Sequence, residues 1–326
     1  MITRSTLTYL AIIIAFCIAG CNPSTEKEDN YPSRPITYFV PWAAGGMTDM
    51  SSRMMGAVLQ KKLGQTVNVV NRTGGGGVVG HLALSQATPD GYTLGAVTVE
   101  ITQLHHMGLT DLTYSNYTPL ALLVHNPAAV TVSVEAPWNT LEDLIEAIRE
   151  NPGELNASGT ARGGIWDLAR IGFLQAAGLN NNDLPWVPSQ GAAPALQELI
   201  AGGVDVVTAA LSEVDALRQA GQVKVLGVMA DERLPGFPED PTLKEQGVDW
   251  SIGGWVSICA PAGLSAEVRH RLDSAIHLAA QDPDYVEALT KAGSTLRYMN
   301  SKDLQRFMER EDKANGTLMD NAQLSR

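Results

Sequence analysis

Hydrophobic positions along the chain alternate between strand-like runs and helix-like stripes. Residues 36–40 are β-branched or aromatic, which is typical of a buried strand, and Pro41 ends that run because proline has no N–H to donate. Similar runs predict strands at 66–70, 92–99, 204–209 and 223–229. Short helical patterns separate many of them. This alternation predicts an α/β fold built from βαβ units, with mostly parallel sheets flanked by helices.

Several helix starts are marked by capping residues. Thr48 and Asp49 begin a helix in which Met50, Met54 and Val58 form an apolar stripe. A second helix begins at Thr140, which pairs with Asp143 as a capping box, and a third is predicted to be capped by Ser212 with Asp215. Ser265 begins a helix near the end of the chain, and two or three further helices are predicted after it.

The order of these elements predicts two domains. The first comprises residues 34–122 together with 256–326 and is discontinuous, and the second comprises residues 123–255. Apolar runs at 120–124 and 129–134 form an extended path from one to the other, and residues 255–261 return. Two crossings of this kind predict a hinge.

The stretch from residue 36 to residue 49 is a strand, a glycine turn at Gly45 and Gly46, and a helix start. Such a turn directs unpaired N–H groups and the positive end of the helix dipole at one point. We therefore expect it to hold a carboxylate of a small ligand. The alternative is a tight strand–helix connection with a capped start.

A second glycine turn covers residues 74–77. Gly75, Gly77 and Gly80 match the dinucleotide-binding pattern G-x-G-x-x-G, and Glu100 follows at the expected distance. The match follows the second strand, whereas a dinucleotide fingerprint opens the first βαβ unit. We therefore expect a second loop at the same end of the sheet and no cofactor.

Composition limits the function. The 326 residues are 44% hydrophobic and 18% charged, which is a globular balance, and the net charge of −12 disfavours binding to nucleic acid. An anion site must then be created locally. Of three cysteines only Cys259 lies in the main part of the chain, so no disulfide is expected there. His105 and His106 are adjacent but have no acidic partner at ligand spacing, so no metal site is predicted.

The N-terminus has the pattern of an export signal. Arg4 precedes an apolar run, and Ile18-Ala19-Gly20-Cys21 resembles the lipobox of bacterial lipoproteins. This predicts a signal peptide at 1–20, a lipid anchor on Cys21 and a polar tether at 21–33, in a protein of the periplasm or cell envelope. Ordinary cleavage beside an incidental cysteine is the alternative.

Short motifs along nearly the whole chain resemble the solute receptors of the tripartite tricarboxylate transporter family, the Bug or TctC type. The first motifs are Tyr31-Pro32-x-Arg34-Pro35-Ile36 and Val40-Pro41-Trp42-x-x-Gly45-Gly46-x-x-Asp49. Later ones are Pro89-Asp90-Gly91-Tyr92, Gly191-Ala192-Ala193-Pro194 and Ala260-Pro261-Ala262-Gly263.

The resemblance implies a type II periplasmic-binding fold that closes on a carboxylate, with one large and one small membrane subunit as partners. It implies no enzyme activity. The ligand-binding residues it implies are Trp42, Ala44, Gly45, Gly46, Thr48, Asp49, Ser158, Thr160, Arg162, Gly163, Gly164, Ser189, Gly191 and Ala192. Where family members often carry a histidine, this chain has Asp167, which either points away from the cleft or reflects a changed ligand preference.

Arg162 is the only cation in these loops, and we expect it to grip a ligand carboxylate. Alternatively it points to solvent or pairs with Asp167. Two other functions stay open from sequence alone. An exported hydrolase is possible because catalytic triads are spatial, although no G-x-S-x-G or H-E-x-x-H motif occurs. The other is a sensing lipoprotein without a transport role.

Overall fold

A computed structural model describes residues 31–325 except 190 and 293. The signal peptide and Cys21 lie outside the described residues. Tyr31 already packs on the fold, because its hydroxyl donates to Gly91 O (2.7 Å) and its ring meets Tyr92 edge-on. The folded part therefore includes residue 31, which the sequence assigned to the tether.

Among these described residues, ten strands form one mixed sheet. They are β1 (Ile36–Val40), β2 (Val67–Asn71), β3 (Thr93–Thr98), β4 (Tyr117–Ser133), β5 (Ala157–Ser158), β6 (Trp186–Val187), β7 (Val206–Ala210), β8 (Val223–Val228), β9 (Gly253–Pro261) and β10 (Leu296–Asn300). The order is β2-β1-β3-β9-β4-β7-β5-β6, and β8 and β10 also pair with β4.

The outer strands are parallel, as the alternating pattern predicts. Strand β1 pairs in parallel with β2 and β3, and β5 pairs in parallel with β6 and β7. The two long strands β4 and β9 run antiparallel to their neighbours and to each other. The predicted extended path through residues 120–134 is therefore a single strand, β4, shared by both halves of the sheet.

In the described part of the chain, nine α-helices of 8 to 21 residues cover the sheet. They are α1 (Met47–Leu63), α2 (Val78–Ser85), α3 (Leu141–Glu150), α4 (Ile165–Ala176), α5 (Ala192–Ala201), α6 (Leu211–Gln219), α7 (Ala266–Ala280), α8 (Pro283–Lys291) and α9 (Ser301–Asn321). Within the described residues, none is both long and apolar enough to cross a bilayer.

The capping predictions had mixed outcomes. Thr140 accepts from Asp143 N in a capping box, and Ser265 accepts from Val268 N, so both are confirmed. The prediction for α6 was wrong. The N-cap is Ala210, two residues before the predicted Ser212, the helix begins at Leu211, and the Glu213 carboxylate accepts from Ala210 N.

The predicted apolar stripe of α1 was also wrong in part. Met50 is 40% exposed, whereas Met55 and Leu59 are fully buried together with Val58. The face of α1 that packs on the sheet is therefore rotated by about one residue relative to the predicted stripe. Ser51 and Ser52 also belong to this buried face. This rotation leaves Met50 and Met54 available to line a cavity.

The largest cluster of buried side chains continues through both halves of the sheet, beside three smaller clusters. It includes Val97 and Leu122 from the first half and Val130, Phe173 and Val206 from the second. Cys259 lies in this core with no exposure, as expected for a small apolar side chain.

Candidate ligand cleft

The loop before α1 has a defined backbone and an internal brace. Gly45 has a φ of +89°, a left-handed conformation that favours glycine, and Gly46 is the N-cap. Asp49, in the first turn of α1, reaches back to accept from Gly45 N at 2.9 Å. Its other partners are Arg53 Nε (3.0 Å) and Asn71 Nδ2 (2.8 Å). Asp49 is therefore occupied in holding the loop.

These partners also keep Asp49 ionised. Burial acts to raise its pKa, but hydrogen bonds from Arg53, Gly45 and Asn71 outweigh burial and lower the pKa below the usual value. The acid thus brings a negative charge next to the helix N-terminus, and Arg53 balances it at 2.9 Å.

The loop before α4 has the same construction. Gly163 has a φ of +75°, Gly164 is the N-cap, and Asp167 accepts from Gly163 N at 2.9 Å. Here the balancing cation is Arg170, which donates to Asp167 Oδ1 from Nε (3.0 Å) and Nη2 (2.7 Å). Asp167 therefore points away from the cleft, the first of the two alternatives posed by the sequence.

A cavity of about 280 Å³ lies at the start of α1. The first half of the sheet contributes the loop and the exposed side of α1, namely Gly45, Gly46, Met47, Met50, Ser51 and Met54. The second half contributes Ala193 of α5 with Ser212 and Glu213 of α6. Leu289, Ala292 and Ser294 close the remaining side. The cavity therefore lies between the two halves, as a cleft should.

Glu213 is the ionisable group of this cavity. Burial raises its pKa to about 7, although the hydrogen bond from Ala210 N acts in the other direction. The Ser212 hydroxyl beside it is buried and has no hydrogen-bond partner among the described residues. Near neutral pH this wall can therefore offer two hydroxyl-type donors, one from serine and one from a protonated carboxyl.

Trp42 and the second glycine turn lie together at the ends of β1, β2 and β3. Trp42 Nε1 donates to Thr98 Oγ1 (3.3 Å), and its ring lies beside Gly77. A Cβ on Gly80 would come within 2.5 Å of Pro41 Cα, so this glycine allows α2 to pack on the end of β1. The G-x-G-x-x-G match thus has a packing explanation. Burial raises the pKa of Glu100, which follows β3.

The other residues implied by the resemblance do not line this cavity. Ser158 Oγ donates to Val187 O (2.7 Å), Ser189 N donates to Thr160 O (3.0 Å), and Ser189 Oγ donates to Gly191 O (3.1 Å). The first two bonds join the two segments of the second half, and the third lies within the loop of Ser189 and Gly191. Ala192 is the buried first residue of α5, one residue before the cavity-lining Ala193. Thr48 is buried on α1 and Ala44 is exposed.

Arg162 is exposed, and no ion pair or hydrogen bond to it occurs within residues 31–325 as described. It does not pair with Asp167, whose oxygens bind Gly163 N and Arg170. Of the alternatives drawn from sequence, pairing with Asp167 is therefore wrong. A reach into the cleft stays a prediction.

Sequence reasoning missed most of the side chains that line the cavity. Met50 and Met54 were predicted only as part of the apolar stripe of α1, Ser212 was predicted only as a helix cap, and Glu213 was not singled out. A local signal for this part of the site was available in the sequence. A hydroxyl and a carboxyl, from Ser212 and Glu213, follow the fully buried strand β7 where α6 begins.

Several solved structures are similar to this chain over most of its length. A solute-binding protein from Polaromonas, solved without ligand, has a TM-score of 0.77 at 32% identity, over 89% of this chain and 99% of that one. MatC from Rhodopseudomonas palustris, with bound malate, has a TM-score of 0.75 at 26% identity over 88% and 99%. Another R. palustris protein, with adipate, has a TM-score of 0.79 at 26% over 90% and 99%.

The sequence comparisons agree. The model of the tripartite tricarboxylate transporter family receptor, TctC, matches residues 52–324. A UPF0065 protein of Bordetella pertussis is 32% identical over 91% of this chain and 92% of its own length. The chain belongs to the TctC receptor family. It is a receptor of that family and not an enzyme.

Proposed function

We propose that this protein is a periplasmic receptor that captures a small carboxylate in the cleft between the two halves of its sheet. The observation that carries the proposal is the cavity at the start of α1, where Gly45 and Gly46 face α5 and α6. The first N–H groups of α1 have no partners within the helix and suit an anion. Glycine at both positions allows close approach to the backbone.

The ligand class follows from this chemistry and from the neighbours. No lysine or arginine lines the cavity in the part of the chain that the structure describes, so in this conformation backbone and hydroxyl groups are the donors available to an anion. Three methionines supply an adaptable apolar wall for a short carbon chain. The malate and adipate seen in related structures are dicarboxylates of suitable size.

A thermal-shift screen of mono-, di- and tricarboxylates, followed by calorimetry of the hits, tests the proposal. A ligand at ~100 times its Kd should add about 2.7 kcal/mol of stability, which is a clear shift in Tm. Amino acids and sugars serve as comparison sets. A screen in which sugars stabilise the protein and no organic acid does would refute the carboxylate assignment.

We also propose closure about a hinge, with domain 1 at 34–122 and 256–326 and domain 2 at 123–255. The support is that strands β4 and β9 each pass between the halves. Solution scattering should show a smaller radius of gyration with saturating ligand. Superimposable curves with and without a ligand that calorimetry shows to bind would argue for a rigid cleft.

Finally, we propose that the receptor is anchored by lipid on Cys21 and delivers its ligand to the large and small membrane subunits of a tripartite transporter. Cys21→Ser should move the protein from membrane to soluble fractions, because one residue carries the anchor. Uptake of radiolabelled ligand should stop when either membrane subunit is deleted. Unchanged uptake would favour a sensing role instead.

A further inference from the structure

The turn that follows β3 places two imidazoles against the last helix. His105 and His106 lie side by side, with ring centroids 4.0 Å apart, and α9 brings Asp312 to both of them. Asp312 Oδ1 lies 3.2 Å from His105 Nε2 and 3.9 Å from His106 Nε2. Among the described residues, these three form the one group of potential metal ligands with donor atoms all within 4.8 Å of one another.

Two features show that this corner is built around the imidazoles. Gly316 lies one turn after Asp312 in α9, and a Cβ there would come within 2.5 Å of His106 Cε1. Glycine inside a helix is unfavourable relative to alanine, so its presence here makes room for the ring. In addition, Asp312 Oδ1 is buried and makes no well-directed hydrogen bond within the described residues, despite the nearby nitrogens.

We propose that His105, His106 and Asp312 bind a divalent transition-metal cation of the Zn²⁺ type. Imidazole nitrogens and one carboxylate oxygen are the ligands that Zn²⁺ takes at about 2.0–2.2 Å, which in a tetrahedron separates the ligand atoms by roughly 3.3 Å. The observed separations of 3.2 and 3.9 Å are close to this value, and His106 Nε2, which also lies 3.2 Å from Asp312 O, would exchange that contact for the cation. A solvent molecule would occupy the fourth position.

The position of the site gives the cation a structural consequence. Met107, the next residue, packs its sulfur against Gly163, and Leu324 beyond α9 approaches the same glycine. A cation would join this turn to α9 directly beside the loop that precedes α4. Binding would therefore stiffen the contact between the C-terminal helix, the first half of the sheet and the second half.

The test uses the mature chain without a histidine tag, freed of metal with a chelator. Co²⁺ titration should give the visible absorption of a low-symmetry site at one equivalent per chain, and Zn²⁺ should displace it. Asp312→Asn, which keeps the side-chain shape, should weaken Zn²⁺ binding by about tenfold or more, since even outer partners of metal ligands contribute that much. His277→Ala removes an exposed histidine of α7 and should leave the binding of Co²⁺ and Zn²⁺ unchanged.

A second variant keeps all three ligands. Gly316→Ala should push the His106 ring aside and weaken Co²⁺ binding, with unchanged helix content by circular dichroism. The proposal is overturned if wild type shows no stoichiometric Co²⁺ spectrum. It is equally overturned if His105→Gln, His106→Gln and Asp312→Asn each titrate like wild type, which would place the cation elsewhere.

Discussion

The loops before α1 and α4 share one backbone design and differ in how their aspartates are neutralised. In each, a left-handed glycine precedes an N-cap glycine, and an aspartate in the first helical turn accepts from the earlier glycine N–H at 2.9 Å. Arg53, the partner of Asp49, has a side chain that is 49% exposed. Arg170, the partner of Asp167, is only 6% exposed and also donates to the carbonyls of Asn181 and Leu184.

This difference separates two tasks. The first loop lies at the cavity, and an exposed arginine with an asparagine can adjust as a ligand enters. The second loop is fixed by a buried ion pair, whose breakage would leave an uncompensated charge. Arg162 is the exposed cation at the tip of this second loop, which the buried ion pair holds in place.

The largest expected effect is on stability. Asp167→Ala should cost about 3–5 kcal/mol of unfolding free energy, because Arg170 would stay buried without its carboxylate. The matched change Asp49→Ala should cost clearly less, since Arg53 can turn to water. Urea denaturation of both variants measures the loss of unfolding free energy in each. Equal losses would show that burial of the arginine is not what distinguishes the loops.

The next effect is on binding. Gly46→Val should weaken ligand binding by at least about a hundredfold, close to 3 kcal/mol, by blocking approach to the start of α1. The fold should tolerate it, because a Cβ there meets only Ala43 O at 3.8 Å. Gly236→Val, where the Cβ meets nothing, is the control. Calorimetry with an identified ligand measures the Kd of both variants. A wild-type Kd in Gly46→Val would exclude this loop from the site.

A smaller change in affinity tests the tip of the second loop. If closure brings Arg162 to the ligand, Arg162→Ala should weaken binding about ten- to a hundredfold, the scale of a charge-assisted hydrogen bond. Arg162→Lys should recover part of the loss, since an ammonium cannot make the two-pronged contact of a guanidinium. A Kd within twofold of wild type for the alanine variant would leave backbone groups as the anion holders.

The last effect is a pH dependence of stability with opposite sign on the two sides of the cleft. Burial raises the pKa of Glu213 from 4.5 to about 7, so the native state binds more protons than the unfolded chain between these values. Its stabilising contribution is complete below about pH 4.5 and is lost as the pH rises to about 7, at up to about 1.4 kcal/mol per pH unit.

Asp49 should behave in the opposite way. Its lowered pKa contributes stability above pH 3.8 that is lost as the pH falls through the native pKa. Unfolding free energies measured across pH 3–8 for Glu213→Gln and Asp49→Asn provide the comparison. Glu213→Gln should flatten the slope between pH 4.5 and 7 and leave the acid limb unchanged. A wild-type slope in that variant would assign the proton to another group.

Local sequence determined much of this protein. The strands at 36–40 and 223–228, the caps at Thr140 and Ser265, and the two glycine loops all follow from interactions within a few residues. The family also followed from short motifs, because each preserves a backbone conformation that the fold requires, as at Gly45 and Gly46. The two apolar runs at 120–124 and 129–134 indicated the extended path that β4 follows, although Asn126 and Pro127 separate them in the sequence.

Tertiary structure decided whatever depended on distant residues. Only packing on the sheet could set the rotation of α1 that buries Met55 and leaves Met50 at the cavity. The role of Asp167 was decided by Arg170 and by the carbonyls that hold it. Asp312 reaches His105 from more than two hundred residues along the chain, so no spacing rule could join them. In each case the deciding energy comes from burial and charge pairing between separate elements, which a linear pattern does not record.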